Sequence, residues 1–337
     1  MPTRMTLKTP TDYDLVRDAC SYGYFLLAPN HWHPQTRSLW RVFAVAGRGV
    51  LARITQPKGP GAPLRVEPAA PIGRPARADL ERQARRMLRL DEPAEEIARF
   101  HRLDRRFRKS GRGRLFRSPT LFEDVIKTVT SCNVTWPGTV VMNRRLCEVL
   151  GARAGAEEAG SGLTHAFPAP ADVAAASPDL LRARCRVGYR DARIIELARL
   201  FRDEPGRFAR LEDPAIGDDE VFDALLDLPG IGPYAAGNVM QLLGRYSRLA
   251  LDTESVRHGR TVLKMRGSGE SIMRRLRTRY ARFKDHAFRS YWFELWTFYE
   301  ARHGPAHTWQ RDSTGTLFTA RELGKPATPS GRDPAAG

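Results

Sequence analysis

Two neighbouring stretches of this chain carry residues whose types and spacing suit chemistry. In Leu228-Pro229-Gly230-Ile231-Gly232-Pro233-Tyr234-Ala235-Ala236-Gly237-Asn238, a glycine-rich turn follows an acidic amphipathic segment and leads into a second helical one. Gly230 and Gly232 let the backbone turn sharply and approach another chain, and Pro233 suits the first position of the second helix. Backbone N–H groups at such a helix start lack intrahelical partners and face an anion such as a phosphate. A monovalent cation at the hairpin backbone, at Leu228 and Gly230, would sit between. Twenty residues beyond Gly232, the apolar run Leu249-Ala250-Leu251 ends in Asp252, followed by Thr253-Glu254-Ser255-Val256-Arg257. A carboxylate at that place is either a helix cap or a fixed negative charge facing a developing positive one.

Charge narrows the choice of partner. Among 337 residues, 55 Lys and Arg stand against 38 Asp and Glu, a formal net charge of +17. Such an excess fits a polyanion, and nucleic acid above all, because phosphates release counterions on contact with Lys or Arg. Membrane binding would want an amphipathic basic helix or a lipidation site, and no window approaches 18 consecutive apolar residues. The N-terminus lacks the apolar stretch of a secretion signal, so the expected location is the cytoplasm, at the nucleoid. Cys20, Cys132, Cys147 and Cys185 show neither CxxC nor iron-sulfur spacing, and no HxH or HExxH pattern occurs. No cofactor, catalytic metal or disulfide framework is expected.

The elements that must position these residues divide the chain in two, which makes it α+β. From Tyr13 to about Pro68, aromatic and β-branched residues punctuated by Gly and Pro predict a small, mostly antiparallel sheet, with runs such as Tyr24 to Ala28 and Leu39 to Val45. Residues 1–75 are taken as this β-rich domain and 76–93 as a linker with a helical stretch, Asp79 to Leu88. Residues 94–310 read as all-α, with helices predicted at 94–109, 119–131, 137–150, 190–202, 218–227, 233–244, 253–264 and 286–302. The low-complexity loop 152–163 and the tail 311–337 are expected to be mobile. Between Arg99 and Arg117 a helix would put Phe100, Phe107 and Phe116 inward and its arginines either on phosphates or in solvent. Ala28-Pro29-Asn30-His31-Trp32 is conspicuous, with a packed loop as its default role.

The hairpin, followed by Asp252, Thr253 and Arg257 in a Val-Asp-Thr-x-x-x-Arg-like pattern, resembles the helix-hairpin-helix DNA glycosylase superfamily. Upstream, Ser118-Pro119-Thr120-Leu121-Phe122-Glu123 through Ser131-Cys132-Asn133 to Arg145-Leu146-Cys147 is similar to the 8-oxoguanine glycosylases, as is Val187-Gly188-Tyr189-Arg190-Asp191-Ala192-Arg193. The match spans roughly 94–300. It implies an N-terminal TATA-binding-protein-like β domain and an enzyme that extrudes a damaged base into a pocket. Asp252 would then stabilise the positive sugar, and Asn133 would fill the space left in the duplex.

At Tyr234 the chain departs from the strand-cutting members, which carry a lysine there. A phenol cannot form an imine, so the resemblance implies a monofunctional enzyme. In the 3-methyladenine glycosylase II branch this position is a pocket aromatic, which points to an alkylated purine, with Asn238 one turn on reaching a base edge. Arg289-Ser290-Tyr291 resembles a segment of the same branch, whose pocket Trp falls at Thr297, so no aromatic lid is expected. The expected partner is duplex DNA containing a damaged base, and the enzyme is expected to be a monomer. An oxidised-purine glycosylase, with or without lyase activity, and an inactive hairpin DNA-binding protein remain the alternatives.

Overall fold

The computed structural model describes residues 4–155 and 162–311. Five strands, β1 (Met5–Leu7), β2 (Asn30–His33), β3 (Ser38–Val45), β4 (Arg48–Thr55) and β5 (Leu64–Pro68), form one antiparallel sheet in the order β1-β5-β4-β3-β2. The β3–β4 turn is Ala46-Gly47, both at positive φ, which matches the right-handed twist of the strands it joins. The segment Tyr24 to Ala28 is not a strand. Gly23–Leu26 winds into a 3-10 turn, because this run is buried throughout, with none of the alternation that a half-covered sheet requires. Strand β1 lies upstream of the predicted start of the sheet.

The helices are α1 (Leu15–Ala19), α2 (Arg74–Met87), α3 (Ala94–Leu103), α4 (Leu121–Ser131), α5 (Trp136–Leu150), α6 (Pro170–Ala174) and α7 (Pro178–Leu180). After them come α8 (Asp191–Asp203), α9 (Pro205–Leu211), α10 (Asp218–Leu226), α11 (Pro233–Leu243), α12 (Thr253–Thr261), α13 (Gly269–Ala281) and α14 (Ala287–His303). Residues 76–93 mostly form α2, whose Leu80, Ala84 and Met87 are buried in the same apolar cluster as the sheet. Helix α13 escapes the sequence because only Ile272, Leu276 and Tyr280 are buried along it, a thin stripe among arginines. Part of the 152–163 loop and nearly all of the tail lie outside the described residues.

Apolar burial collects in two large cores. One joins the sheet to α2 and to the C-terminal helices, through Phe43, Leu80, Phe100, Leu276 and Phe288 among others. The other is mainly helical and runs from α4 to α11, with Val125, Leu146, Ile194, Leu225 and Val239 at its centre and Ala28 joined to it from the N-terminal region. Between them lies a buried ion cluster. Glu123 on α4 takes Arg41 of β3 at 2.5 Å and Lys127 at 2.7 Å. Burial alone would raise the Glu123 carboxyl, but the two cations hold it below its usual value. Asn30 accepts from Arg41 at 2.7 Å, and Trp32 Nε1 donates to the His307 carbonyl at 2.8 Å. The Ala28–Trp32 segment therefore braces the contact between cores.

The arginines between Arg99 and Arg117 fall into two sets: Arg102, Arg105 and Arg108 are exposed, and the others are engaged by the protein. Arg99 pairs with Glu96 and Asp285, Arg106 with Asp104 and Glu294, Arg112 with Glu300, and Arg114 with Asp12. Arg117 donates to the carbonyls of Arg86 and Leu242. Phe100, Phe107 and Phe116 do point inward.

Removing one member of a buried ion cluster leaves its partners uncompensated, which costs about 3 to 5 kcal/mol. Denaturant unfolding of Glu123→Gln should show a loss of that size, whereas an unchanged midpoint would mean that the cluster is not an intact buried pair.

Candidate active site

A cleft of about 850 Å³ opens between the two cores. Its walls come from the Tyr22–Tyr24 turn, the α4–α5 connection, the start of α11, the start of α12, and α14. Gly232 precedes α11 and Pro233 opens it, while Gly230 turns at φ 74° with Arg193 packed where a Cβ would stand. The Leu228 carbonyl accepts the Ile231 N–H at 3.1 Å, so a cation there would share that oxygen. Tyr234 and Asn238, one turn apart, both line the cleft. Behind them Gly237 lets the Leu249–Asp252 segment lie against α11, since a Cβ at that position would come within 3.3 Å of Ala250. This close approach sets Asp252 beside Tyr234.

Asp252 is a helix cap and also lines the cleft. It caps α12 in a reciprocal box: Ser255 N–H donates to Oδ1 at 3.1 Å, and Asp252 N–H donates to Ser255 Oγ at 3.0 Å. The Ser255 hydroxyl is in turn tied to that of Tyr291 at 2.7 Å. The carboxyl also faces the cleft. Burial pushes its pKa above the usual carboxylate range, against the opposing pull of Ser255, the Tyr234 hydroxyl and the Arg257 charge. Tyr234 is driven far above its ordinary value, first by burial and then by Asp252, so it stays a neutral hydrogen-bond donor.

The remaining expected residues occupy distinct places. Asn133 is exposed on the rim at φ 51°, directly after α4, and its carbonyl accepts from Arg190 at 3.3 Å. Arg190, nearly buried, also donates to the carbonyls of Val129 and Cys132 and so fixes the whole α4–α5 turn. The oxygen of Asn238 is engaged inside the protein, accepting from Gln241 at 3.1 Å and from the Tyr22 hydroxyl at 3.4 Å. Arg257 is bound to Glu254 and lies 3.5 Å from the Tyr299 hydroxyl.

The aromatic wall is not foreseen by the sequence. Trp292 and Trp296 line the cleft with their rings 5.4 Å apart, and Tyr22 packs on Trp292 at 4.7 Å. Trp136 and Tyr24 complete it from other elements. Thr297 does not line the cleft, and its hydroxyl donates to the Phe293 carbonyl. The i, i+4 spacing of Trp292 and Trp296 is the one available signal. For Tyr22, Tyr24 and Trp136 there is none, since long-range packing alone brings them here.

Among the described residues, no lysine lines the cleft. Lys127 is wholly buried against Glu123, with its pKa lowered chiefly by burial. The four cysteines are unpaired, and burial pushes the cleft-lining Cys132 thiol up to about 11. No group of His, Cys, Asp and Glu able to hold a metal ion occurs among the described residues, nor does any helix long and apolar enough to cross a membrane.

No protein-family model matches the chain, and no curated protein matches it by sequence. Solved structures do. A 3-methyladenine DNA-glycosylase from Archaeoglobus fulgidus aligns over 87% of this chain and 98% of its own, at TM-score 0.62 and 19% identity. The Ogg1 protein MBOgg1, solved with a low-affinity DNA ligand, aligns over 88% and 97%, at TM-score 0.64 and 17% identity. An 8-oxoguanine glycosylase/lyase from Clostridium acetobutylicum, bound to duplex DNA with cytosine opposite 8-oxoguanine, covers 88% and 98%, at TM-score 0.62 and 14% identity. The resemblance drawn from the motifs therefore holds at the level of the fold, for both branches.

Because the folded carboxyl of Asp252 titrates above its unfolded value, its ionised form opposes folding at neutral pH. Asn caps a helix about as well as Asp. Asp252→Asn should therefore unfold at a higher temperature than wild type at pH 7, and the gap should close below about pH 4, where both side chains are neutral. Thermal melts across that range check the sign, and a gap that widens in acid would contradict it.

Proposed function

We propose that this protein is a monofunctional DNA glycosylase that hydrolyses the bond between deoxyribose and an alkylated purine in duplex DNA. The observation that carries the reading is Asp252, withdrawn from water yet facing an aromatic cleft that no described lysine lines. The backbone N–H groups of Gly232 and Tyr234, on either side of Pro233, hold a phosphate, and the extruded base stacks among Tyr234, Trp292 and Tyr22. As the glycosidic bond breaks, electrons leave with the base and positive charge builds on the sugar. Asp252 faces that charge, orients the water that attacks C1′ and takes up the proton that the water loses.

Proton supply decides between substrates. The thiol and the tyrosines of the cleft are weaker acids than usual, and Glu254 is engaged by Arg257 and Tyr299. With no ready acid to protonate a leaving group, the site suits a base that is already cationic and departs neutral, such as a 7-alkylpurine. Electron-rich rings around the pocket favour the same charge.

Next to Asn133 on the rim Val134 is 37% exposed, and Tyr189, 61% exposed, packs on Arg190, which holds the Asn133 carbonyl. Large apolar side chains left in water suit insertion into the gap of a kinked duplex. The oxidised-purine reading draws on Asn133 and the Val187–Arg193 segment that positions it. We read the N-terminal antiparallel sheet as the TATA-binding-protein-like domain of such enzymes, and the protein as a monomer of the cytoplasm and nucleoid that uses no cofactor.

Duplexes containing 7-methylguanine, 1,N6-ethenoadenine or 8-oxoguanine, incubated with the protein and separated with and without alkali, test this. Strand breaks on an alkylated-base duplex only after alkali are expected, and breaks on 8-oxoguanine without alkali would reverse both substrate and mechanism. The rate should fall with acidity through a pKa above the ordinary carboxylate value of about 3.9, since only ionised Asp252 acts. Asp252→Asn should lose base release by about a hundredfold or more while still binding an abasic analogue.

A further inference from the structure

The turn that would hold phosphate lies on an acidic arm. Helix α10 carries Asp218, Asp219, Glu220 and Asp223, and Asp227 follows it. Arg245, Arg248 and Arg210 pair with the first three, while Asp223 and Asp227 add negative charge beside them. Backbone N–H groups there can seat a phosphate, but the arm has no excess positive charge to attract one.

That charge lies elsewhere. Between 260 and 284 the chain has nine Lys or Arg and a single acid, Glu270, so 25 residues carry +8 of the +17 of the whole protein. Only Arg279 is in an ion pair among the described residues, with Glu294 at 3.4 Å. Lys264, Arg266, Arg274, Arg277 and Arg282 are exposed, and Arg260 and Arg275 bond only to the backbone carbonyls of Gly267 and Arg266. Unlike Arg99, Arg106, Arg112 and Arg114, these seven have no acidic partners among the described residues.

The patch is continuous with the cleft. Helix α12 starts at Asp252, and α13 packs on it while contributing Met273 to the cleft wall. On α13 the buried stripe is Ile272, Leu276 and Tyr280. At helical spacing Met273 borders that stripe, Arg277 lies one turn from Met273 on the same flank, and Arg274 follows around the helix. Positive side chains thus begin at the mouth of the cleft and run away from it.

We propose that the α12–α13 face is a second duplex-binding surface: one arm of the DNA, leaving the cleft past Met273, lies across Arg277, Arg274, Arg282 and Lys264. This deepens the proposed function and rests on duplex DNA entering the cleft. The hairpin fixes register on its own side, and the patch supplies most of the salt-dependent attraction.

The test is a fourfold variant, Lys264→Gln, Arg274→Gln, Arg277→Gln and Arg282→Gln, whose fold is checked by circular dichroism and thermal melting. Its affinity for a duplex with a central abasic analogue is measured over a range of salt concentrations. The log–log salt slope should fall by about 0.9 for each phosphate that the variant no longer neutralises, two or more in total, with roughly tenfold or greater weakening of affinity at moderate salt. Single-turnover base release at saturating protein should be unchanged. Cutting back the arm that lies on the patch should abolish the difference between variant and wild type, whereas cutting the other arm should leave it. Equal slopes for the two proteins, a difference insensitive to either arm, or dependence seen only with single-stranded RNA would each overturn the proposal. Patch-dependent duplex binding without release of any base would overturn the function proposed for the cleft and leave the patch standing. Base release with equal salt slopes would do the reverse.

Discussion

A carboxylate withdrawn from water is stable only if its surroundings hold it, and that constraint organises the cleft. Asp252 is charged where charge is unfavourable, so the Ser255 cap, the Tyr234 hydroxyl and the positive field of Arg257 must compensate. The compensating groups come from two helices, Ser255 and Arg257 from α12 and Tyr234 from α11. Ser255 belongs to α12 and is anchored through Tyr291 to α14, while Tyr234 stands where Pro233 opens α11. Gly237 permits α11 and the Asp252 segment to touch, and a methyl group there would push the two apart. The hairpin that would grip phosphate and the residue that would face the sugar are thus joined through one close backbone approach.

A second polar arrangement keeps the cleft open at a defined width. Arg190 ties down three carbonyls at the end of α4, and the Arg41–Glu123–Lys127 cluster fastens that helix to the sheet. Both are buried, and each contains a bond of 2.5 Å, Arg41 to Glu123 and Arg190 to the Cys132 carbonyl. The cleft needs this because its walls come from two separate cores. Tyr22 belongs to one core and Asn238 to a helix of the other, yet their side chains meet, with Gln241 completing the triangle.

Local signals in the sequence reach a good part of this and stop where packing takes over. The hairpin is legible because only glycine and proline suit its turns, and Asp252 because an apolar run ending in a carboxylate is unusual. Most long helices follow from their apolar period. Helix α13 does not, because a stripe of three buried residues gives little periodicity. The 3-10 turn at Gly23–Leu26 resembles a strand, since buried aromatic runs look alike in both. The aromatic wall gathers residues from positions 22 to 299, and no spacing rule connects them. Arginine misleads in a different way. In the run at 99–117 acids on other elements pair with Arg99, Arg106, Arg112 and Arg114, whereas in the 260–284 segment only Arg279 finds one among the described residues, Glu294.

The central claim is that water, directed by Asp252, replaces the base on the sugar. Mass analysis of the products from a 7-methylguanine duplex, with borohydride present in a parallel sample, tests it most directly. The account predicts free 7-methylguanine, an abasic site in an uncut strand, and no protein–DNA adduct. A borohydride-trapped adduct, or an intact duplex under conditions where the protein is bound, would contradict it.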